Sequence, residues 1–371
     1  MQEIDLKALS TQVLWAAFGL SVLFGAIAQR THFCTMGAVA DIVNIGDWAR
    51  MRMWVLAIGV AMLGFNAMVA LGWLDAGKSL YAGPKVIWLS ALLGGAMFGF
   101  GMVLASGCGS KTLVRIGGGN LKSLVVFVVL GVAAFATLKG ITAVARVATV
   151  DAVAVSLPGG QDLPSLLAPA AGIAKTQLAL LLGVVVGGAL LVWSLARAEG
   201  RRADNLLGGL GIGVVVAGVW WVSGVLGHVA EDPSTLQEAF VATNSQRMES
   251  LSFVAPIAYA LDWLMFFSDA SKHLTIGIVA ALGVVVGSAA YAVATRTFRW
   301  EGFRNAEDTA NHLVGAVLMG IGGVCALGCT IGQGMSGVST LSLTSFIAIA
   351  AIIGGAVAAL RWQTWRVERS A

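Results

Sequence analysis

Three cysteines stand at places where an apolar segment of the chain is interrupted by polar residues. The interruptions read H-F-C-T-M-G at Cys34, G-C-G-S-K-T at Cys108 and G-C-T-I-G-Q at Cys329. A thiol is a soft, polarisable and weak hydrogen-bond donor, so it is a poor group for holding a hard oxyanion. If the three thiols line one path, the ligand that they select should itself contain soft sulfur. Cys325 lies in an uninterrupted helical pattern, and we assign it a packing role while leaving a lining role open.

The residues around the interruptions have the chemistry to bind a small anion. The start of a half-helix exposes up to four unpaired backbone N–H groups and the positive end of the helix dipole. In hydrocarbon these groups must be buried in protein or must meet an anion. Glycines let a ligand approach the backbone, and hydroxyl, amide and cationic side chains add donors and positive charge. The predicted substrate-binding residues are Cys34, Cys108, Cys329, Gly109, Ser110, Lys111, Thr330, Gln333, Arg30 and Arg115.

Two of the interruptions belong to an internal repeat. Leu92–Cys108 aligns without a gap on Leu313–Cys329, at an offset of 221 residues, with 8 of 17 positions identical. The biased composition of the chain would give about two identities, so the match indicates a true repeat. Each copy ends in Gly-Cys where an apolar helix breaks.

Simpler interpretations of these residues exist. A free cysteine is often a small buried hydrophobe. Lys111 and Arg115, four residues apart on one helical face, would then only mark the cytoplasmic end of a half-helix. Three thiols at three interruptions, two of them related by the repeat, favour the binding role. The chain has no Cys-x-x-Cys pair, and we expect no metal, no cofactor and no catalytic residue.

Composition places these segments in a membrane. Of the 371 residues 58% are hydrophobic and only 11% are charged, and the mean hydropathy is +0.86. Soluble domains carry about 25% charged residues, so the sequence predicts an all-α polytopic membrane protein. The net charge of +4 does not indicate a nucleic-acid partner, because the basic residues lie in short loops between spans.

We predict about nine transmembrane helices plus re-entrant half-helices. The piece from Cys34 to Ile45 is too short to cross about 30 Å of hydrocarbon and is predicted to be re-entrant. The segment Thr142–Ala171 has no strong helical signature and is predicted to be an external loop or surface segment. The predicted spans are Gln12–Gln29, Met53–Leu74, Val86–Ser106, Leu121–Leu138, Ile173–Leu195, Leu206–Trp220, His273–Thr295, His312–Leu327 and Leu343–Leu360.

The distribution of basic residues predicts the orientation. Arginines in the loops 197–202 and 296–304 and in the tail 361–369 should be cytoplasmic. Nine spans then place the C-terminus in the cytoplasm and the N-terminus in the periplasm. The two copies of the repeat run in opposite directions, which predicts inverted repeats. We divide the single membrane domain into a first repeat (1–140), a connecting loop and linker span (141–197) and a second, inverted repeat (198–371).

The three cysteine motifs, taken together, resemble those of the YeeE/YedE family of bacterial inner-membrane proteins, the thiosulfate-transporter-like group. The resemblance spans nearly the whole chain. It implies a pseudo-symmetric, hourglass-shaped protein that takes up thiosulfate. It also implies that three cysteines, here Cys34, Cys108 and Cys329, relay the anion by S–H···S contacts without covalent intermediates. A small cytosolic TusA/SirA-like sulfur-carrier protein is the partner that the family implies.

The function predicted from these observations is uptake of thiosulfate, or a similar sulfur anion, across the bacterial inner membrane. The predicted partners are this anion, membrane lipid and the sulfur carrier. A permease for another sulfur or selenium species and a permease for soft metals are alternatives. A membrane thiol–disulfide oxidoreductase is a further one, and it would need two cysteines close enough to bridge.

Overall fold

The computed structural model describes residues 6–233, 235–269 and 271–370, and helices dominate this part of the chain. The N-terminus itself lies outside the described residues. The helices are α1 (Leu6–Thr31), α2 (Thr35–Ile45), α3 (Ala49–Ala70), α4 (Trp88–Leu104), α5 (Gly109–Gly117), α6 (Leu121–Lys139), α7 (Ile141–Ala148), α8 (Leu163–Ala171), α9 (Lys175–Leu182), α10 (Gly188–Leu195), α11 (Ala203–Trp221), α12 (Ala255–Met265), α13 (Ile276–Ala294), α14 (Ala306–Cys325) and α15 (Leu343–Ser370).

Short irregular elements connect or extend these helices. Single turns of 3₁₀-helix cover Ala76–Lys78 and Ala198–Arg201, and π-helical turns cover Gly183–Gly187, Val222–Leu226 and Gly332–Gly337. Two antiparallel ribbons lie in the loops. They pair β1 (Lys85–Val86) with β2 (Val155–Ser156) and β3 (His228–Val229) with β4 (Ala239–Phe240).

Eight helical segments in the described chain are long and apolar enough to cross a membrane. They correspond to eight of the nine predicted spans. The remaining predicted span, His312–Leu327, covers most of α14 and the two residues after it. The first two turns of α14 carry Glu307, Asp308 and His312, which lower its hydropathy. All-helical, multi-pass architecture is thus confirmed, with α14 distinguished from the other spans by its polar start.

The loops gather at two ends of the helix bundle. At the loop-rich end, β1 pairs with β2, Ser79 bridges to Met248, and Asp162 bridges to Ser342. At the opposite, basic end, Asn120 bridges to Glu301 and Arg366 contacts Glu307. The chain from Glu307 to Ser342 therefore runs from one end to the other, so α14 and the broken segment after it complete a ninth crossing.

The segment Thr142–Ala171, predicted to be an external loop or surface segment, contains two short helices that the sequence did not indicate. Helix α7 begins directly after α6 at Gly140. Asp162 is the N-cap of helix α8, and its carboxylate accepts a hydrogen bond from Ser165 N–H at 3.0 Å. The first turn of this helix also contains a proline. The capping signal Asp-Leu-Pro-Ser marks a helix start, but the segment lacks an apolar face long enough to indicate one by periodicity.

The two helices of the internal repeat, α4 and α14, pack against each other in opposite directions. A Cβ atom built on Gly94 would lie 2.7 Å from Gly322 O, and one built on Gly101 would lie 2.7 Å from Gly315 O. In the 221-residue alignment Gly94 corresponds to Gly315 and Gly101 corresponds to Gly322. The contact between Gly94 and Gly322 is therefore the repeat equivalent of the contact between Gly315 and Gly101. This equivalence is the signature of a two-fold relation between antiparallel helices, and it supports the predicted inversion. Small residues permit the close approach.

Candidate functional site

The three cysteine interruptions share one backbone geometry. The residue two positions before each cysteine is left-handed: His32 has φ 52°, Ser106 has φ 56° and Leu327 has φ 57°. At each break the residue directly before the cysteine donates its backbone N–H to the carbonyl five residues earlier, as Gly107 does to Met102 O at 2.8 Å. This is the Schellman ending of a helix, usually made with glycine. A non-glycine residue there costs about 1–2 kcal/mol, so packing enforces these three turns.

Each cysteine then stands at the start of a new helical segment. Cys34 caps α2, where its Sγ accepts a hydrogen bond from Gly37 N–H at 3.3 Å. Cys329 Sγ accepts from Gly332 N–H at 3.4 Å. Cys108 caps α5, and its Sγ lies 3.3 Å from Ser110 Oγ. The thiols therefore sit in the positive field of helix N-termini, which is the predicted environment for an anion.

The tertiary fold brings these three thiols together. Cys108 is close enough to interact with both Cys34 and Cys329. All three are free cysteines, and their exposed fractions are 6% for Cys34 and 0% for Cys108 and Cys329. We call these three buried thiols the line of thiols, in the order Cys34, Cys108, Cys329, because Cys108 neighbours both of the others.

A fourth half-helix, α12, starts beside this line without a cysteine. Gly109 lies against the residues before α12, since a Cβ built on it would lie 2.6 Å from Phe253 O. Gly109 was predicted to bind substrate, and the structure shows that its lack of a side chain is needed for this backbone approach. Cys329 also lies near the Phe253 backbone. Four helix starts therefore converge around the thiols.

Three buried hydroxyl groups near the thiols make no hydrogen bond of good geometry within the described residues. They belong to Thr35, which follows Cys34, to Thr330, which faces Cys108, and to Tyr81, which faces Cys329. An unsatisfied buried hydroxyl is destabilising by about 1–3 kcal/mol, so these three groups are available to donate to an anion. Thr330 was predicted from the sequence. Tyr81 and Thr35 were not, because no motif surrounds Tyr81 and Thr35 was read as part of the cysteine motif.

A cavity of about 60 Å³ leads from the loop-rich end towards Cys329. Its wall includes Tyr81, Ser252 and Leu327, the left-handed residue of the third break. Burial raises the pKa of the Tyr81 phenol, which keeps it a protonated donor at neutral pH. Glu249 lies at the same cavity, and burial raises the pKa of its carboxyl to about 7. Near neutral pH, therefore, a large fraction of the Glu249 carboxyl groups is protonated. A protonated carboxyl group repels an approaching anion less than a carboxylate does.

Positive charge gathers on the other side of the line. Lys111 lies near both Cys34 and Cys108, and also near Arg50 and His32. Arg50 pairs with Asp41 at 2.6 Å, whereas Lys111 forms no ion pair within the described part of the chain. Lys111, which was predicted to bind substrate, therefore lies beside the thiols. No carboxylate of the described chain neutralises its positive charge.

The remaining predicted residues have contacts of their own. Arg30 is exposed and pairs with Asp204 at 3.5 Å, so it does not join the thiols. Arg115 donates to Ser106 O at 2.7 Å and stabilises the second break. Gln333 uses both ends of its amide within the protein, donating to Ala326 O and accepting from Ser345 Oγ at 2.6 Å. Arg115 and Gln333 thus stabilise the helix breaks, and Arg30 forms a surface ion pair.

Cys325 lies apart from the other cysteines. It packs against Gly94 of α4, and the charged groups near it are Arg146 and Asp151. Its placement agrees with the packing role assigned from the uninterrupted helical pattern.

The comparisons with known proteins cover most of this chain. A family model described as sulphur transport matches residues 30–358. The chain is 27% identical over 337 residues to the thiosulfate transporter TsuA of Escherichia coli (strain K12), covering 90% of each chain. It is 24% identical over 358 residues to a thiosulfate transporter TsuA of Spirochaeta thermophila, covering 91% of this chain and 94% of that one. A 112-residue part is 30% identical to the probable transporter YedE of Escherichia coli.

Proposed function

The chain belongs to the sulphur-transport family, and on that premise we propose that it carries thiosulfate across the membrane along its line of buried thiols. The observation that carries the proposal is the convergence of Cys34, Cys108 and Cys329 at helix N-termini in a water-poor core. A different sulfur or selenium anion would bind the same thiols. Transport measurements with several anions distinguish these substrates from thiosulfate.

The proposed route starts in the cavity at the loop-rich end. The anion passes Tyr81 and Ser252, reaches Cys329 and Thr330, and moves to Cys108. From there it passes to Cys34 and leaves towards Lys111, Arg50 and His32. The route thus runs from the cavity with Glu249 towards Lys111, whose ammonium has no ion-pair partner in the described part of the chain and would attract an anion in that direction.

Thiosulfate carries two kinds of acceptor, and the route supplies a matching donor for each. Its terminal sulfur is large and polarisable, like the thiol sulfur atoms. Its three oxygens are hard acceptors, which suit the free hydroxyls of Tyr81, Thr330 and Thr35 and the N–H groups at the helix starts. Sulfate offers oxygens only, so it would leave the thiols without a soft partner. This difference is the proposed basis of selectivity.

The loops support an assignment of the two sides. The basic end, which holds the arginines of loops 196–202 and 295–305 and of the tail, is proposed to face the cytoplasm of a bacterial inner membrane. The loop-rich end with Glu249 would then face the periplasm, and transport would be uptake. Delivery to a small TusA/SirA-like sulfur carrier in the cytosol rests on the family resemblance alone and stays a prediction.

Purified protein in liposomes should take up thiosulfate in preference to sulfate. We expect accumulation of radiolabelled thiosulfate above empty liposomes, competition by unlabelled thiosulfate, and at least tenfold weaker competition by sulfate, since sulfate lacks the soft atom. Sulfite and selenite are compared in the same assay. Protein-free liposomes and liposomes with heat-inactivated protein are the controls. Equal competition by sulfate and thiosulfate would contradict the role of the thiols in selection.

Replacing Tyr81 by phenylalanine should weaken thiosulfate binding without removing it. The change deletes one hydroxyl that lacks a partner in the described structure. A hydrogen bond to a charged group contributes about 1.5–3 kcal/mol, which corresponds to a KM roughly 10- to 150-fold higher. Tyr291→Phe on α13 is the matched control, because it removes the same group away from the cavity. An unchanged KM in Tyr81→Phe would remove Tyr81 from the route.

A further inference from the structure

Two cavities adjoin at the basic end, on the side of the linker helices. The first, of about 440 Å³, is lined by Trp48, Arg52, Trp193, Arg197 and Glu199. The second, of about 580 Å³, shares Trp48 and Trp193 with it and continues along the helices towards the middle of the protein. Neither cavity includes a cysteine or a residue of the proposed route. Together they form one groove with a charged end and an apolar end.

The apolar end lies between the half-helix α2, the span α3, the linker helix α10 and the last helix α15. Its lining is aliphatic and aromatic throughout, so water in it would find no hydrogen-bond partners on the walls. An alkyl chain fits such a surface at membrane depth. The lining residues are Val39, Ile42, Val43, Trp48, Met51, Trp54, Val55, Leu190, Trp193, Ile353 and Val357.

The charged end has cationic groups that the protein does not fully satisfy. Arg52 lies over the Trp193 ring at 4.5 Å, and its buried Nε has no hydrogen-bond partner. The one carboxylate, Glu199, stands 3.8 Å from that Nε. Arg197 forms no ion pair in the part of the chain that the structure describes. Two guanidinium groups therefore face one carboxylate, and a phosphate group would balance them.

We propose that this groove binds one phospholipid with an anionic headgroup. Its phosphate meets Arg52 and Arg197, and one acyl chain lies in the apolar end. Trp48 and Trp193, whose rings meet edge to face at 6.0 Å, stand at the junction of the two ends. Tryptophan is enriched at this level of a membrane, and basic pockets between spans on the cytoplasmic side bind anionic lipid headgroups.

The lipid would touch the back of the half-helix that starts at Cys34. Val39 and Ile42 of α2 line the apolar end, while the N-terminus of the same helix carries the first thiol. A half-helix lacks the length of a full span, so a chain packed beside it replaces contacts that a neighbouring helix would otherwise make. Binding should therefore raise the thermal stability of the protein, independently of the substrate that it carries.

The test is lipid binding to the full-length protein in detergent. Native mass spectrometry with added phosphatidylglycerol or phosphatidylcholine should show one tightly bound phosphatidylglycerol per chain and at least fivefold weaker phosphatidylcholine. Arg197→Gln should weaken phosphatidylglycerol binding at least fivefold, whereas Arg201→Gln, an exposed arginine outside the groove, should leave it unchanged. Val43→Trp fills the apolar end from a half-exposed position and should also weaken binding.

Both variants change surface-accessible side chains, and their folding is checked by thermal melting without lipid. Two results would overturn the proposal. One is equal binding of both lipids with no effect of Arg197→Gln. The other is a dimeric mass without lipid that Val43→Trp converts to a monomer, because the groove would then be a contact between two copies of the chain.

Discussion

Cys108→Ala is expected to lower the initial rate of thiosulfate uptake at least tenfold. Cys108 is the central thiol, the one that interacts with both Cys34 and Cys329, so its loss interrupts the line. A hydrogen bond to a charged group contributes about 1.5–3 kcal/mol, and the lower end of this range, which suits a weak thiol donor, already corresponds to about a tenfold loss of rate or affinity. The measurement is radiolabelled uptake in cells without other sulfate or thiosulfate permeases, normalised to inserted protein.

Cys325→Ala is the matched control for this prediction. Cys325 is as buried as Cys34, but it packs against α4 rather than beside the other thiols. The two alanine variants therefore lose similar packing, and only Cys108→Ala should lose transport. Cys108→Ser adds a second comparison, because serine keeps a hydroxyl donor and removes the soft atom. A serine variant that transports thiosulfate normally would show that softness is not required.

Full uptake by correctly inserted Cys108→Ala would reject the relay. The same preparations also test the oxidoreductase alternative, which the closeness of Cys34 and Cys108 keeps open. A disulfide between these residues that forms and breaks with the redox state of a quinone would favour that enzyme. Protein that transports with all of its thiols reduced would favour the relay.

Gly99→Ala is expected to destabilise the helix bundle. A Cβ built on Gly99 of α4 would lie 2.0 Å from Ile352 O of α15, which is backbone and has no rotamer to change. Overpacking a tight core costs about 1–3 kcal/mol, and more where only a backbone shift relieves it. Alanine gains about 1 kcal/mol of helix propensity over glycine. The clash should exceed this gain, so the melting temperature should fall.

Gly354→Ala on α15 provides the control for Gly99→Ala. No heavy atom outside its local helix lies within 4 Å of a Cβ at Gly354, so the same substitution adds helix propensity without a clash. We expect its melting temperature to be unchanged or higher. Helix α4 leads into the Cys108 break and α15 follows the Cys329 break, so Gly99→Ala should also lower uptake. Equal melting temperatures for both variants would contradict this account of the α4–α15 contact.

The sequence predicted the parts of the fold that depend on local chemistry. Apolar length identified the spans, since hydrocarbon thickness sets the number of residues needed. Span His312–Leu327 was predicted from its apolar residues, and the structure begins the helix earlier, at Ala306, so that it includes the polar residues Glu307 and Asp308. The short helices of Thr142–Ala171 were missed, since they have too few residues for periodicity to indicate a helix.

The sequence by itself also determined that Cys34, Cys108 and Cys329 stand at helix breaks, because glycine and polar residues cannot continue a lipid-exposed helix. Only the tertiary structure decided which side chains lie next to those breaks. It brought Tyr81 from a distant loop to Cys329, and it used the Gln333 amide within the protein. Local sequence sets where a backbone must break, whereas the partner of a buried donor depends on contacts between residues far apart in the chain.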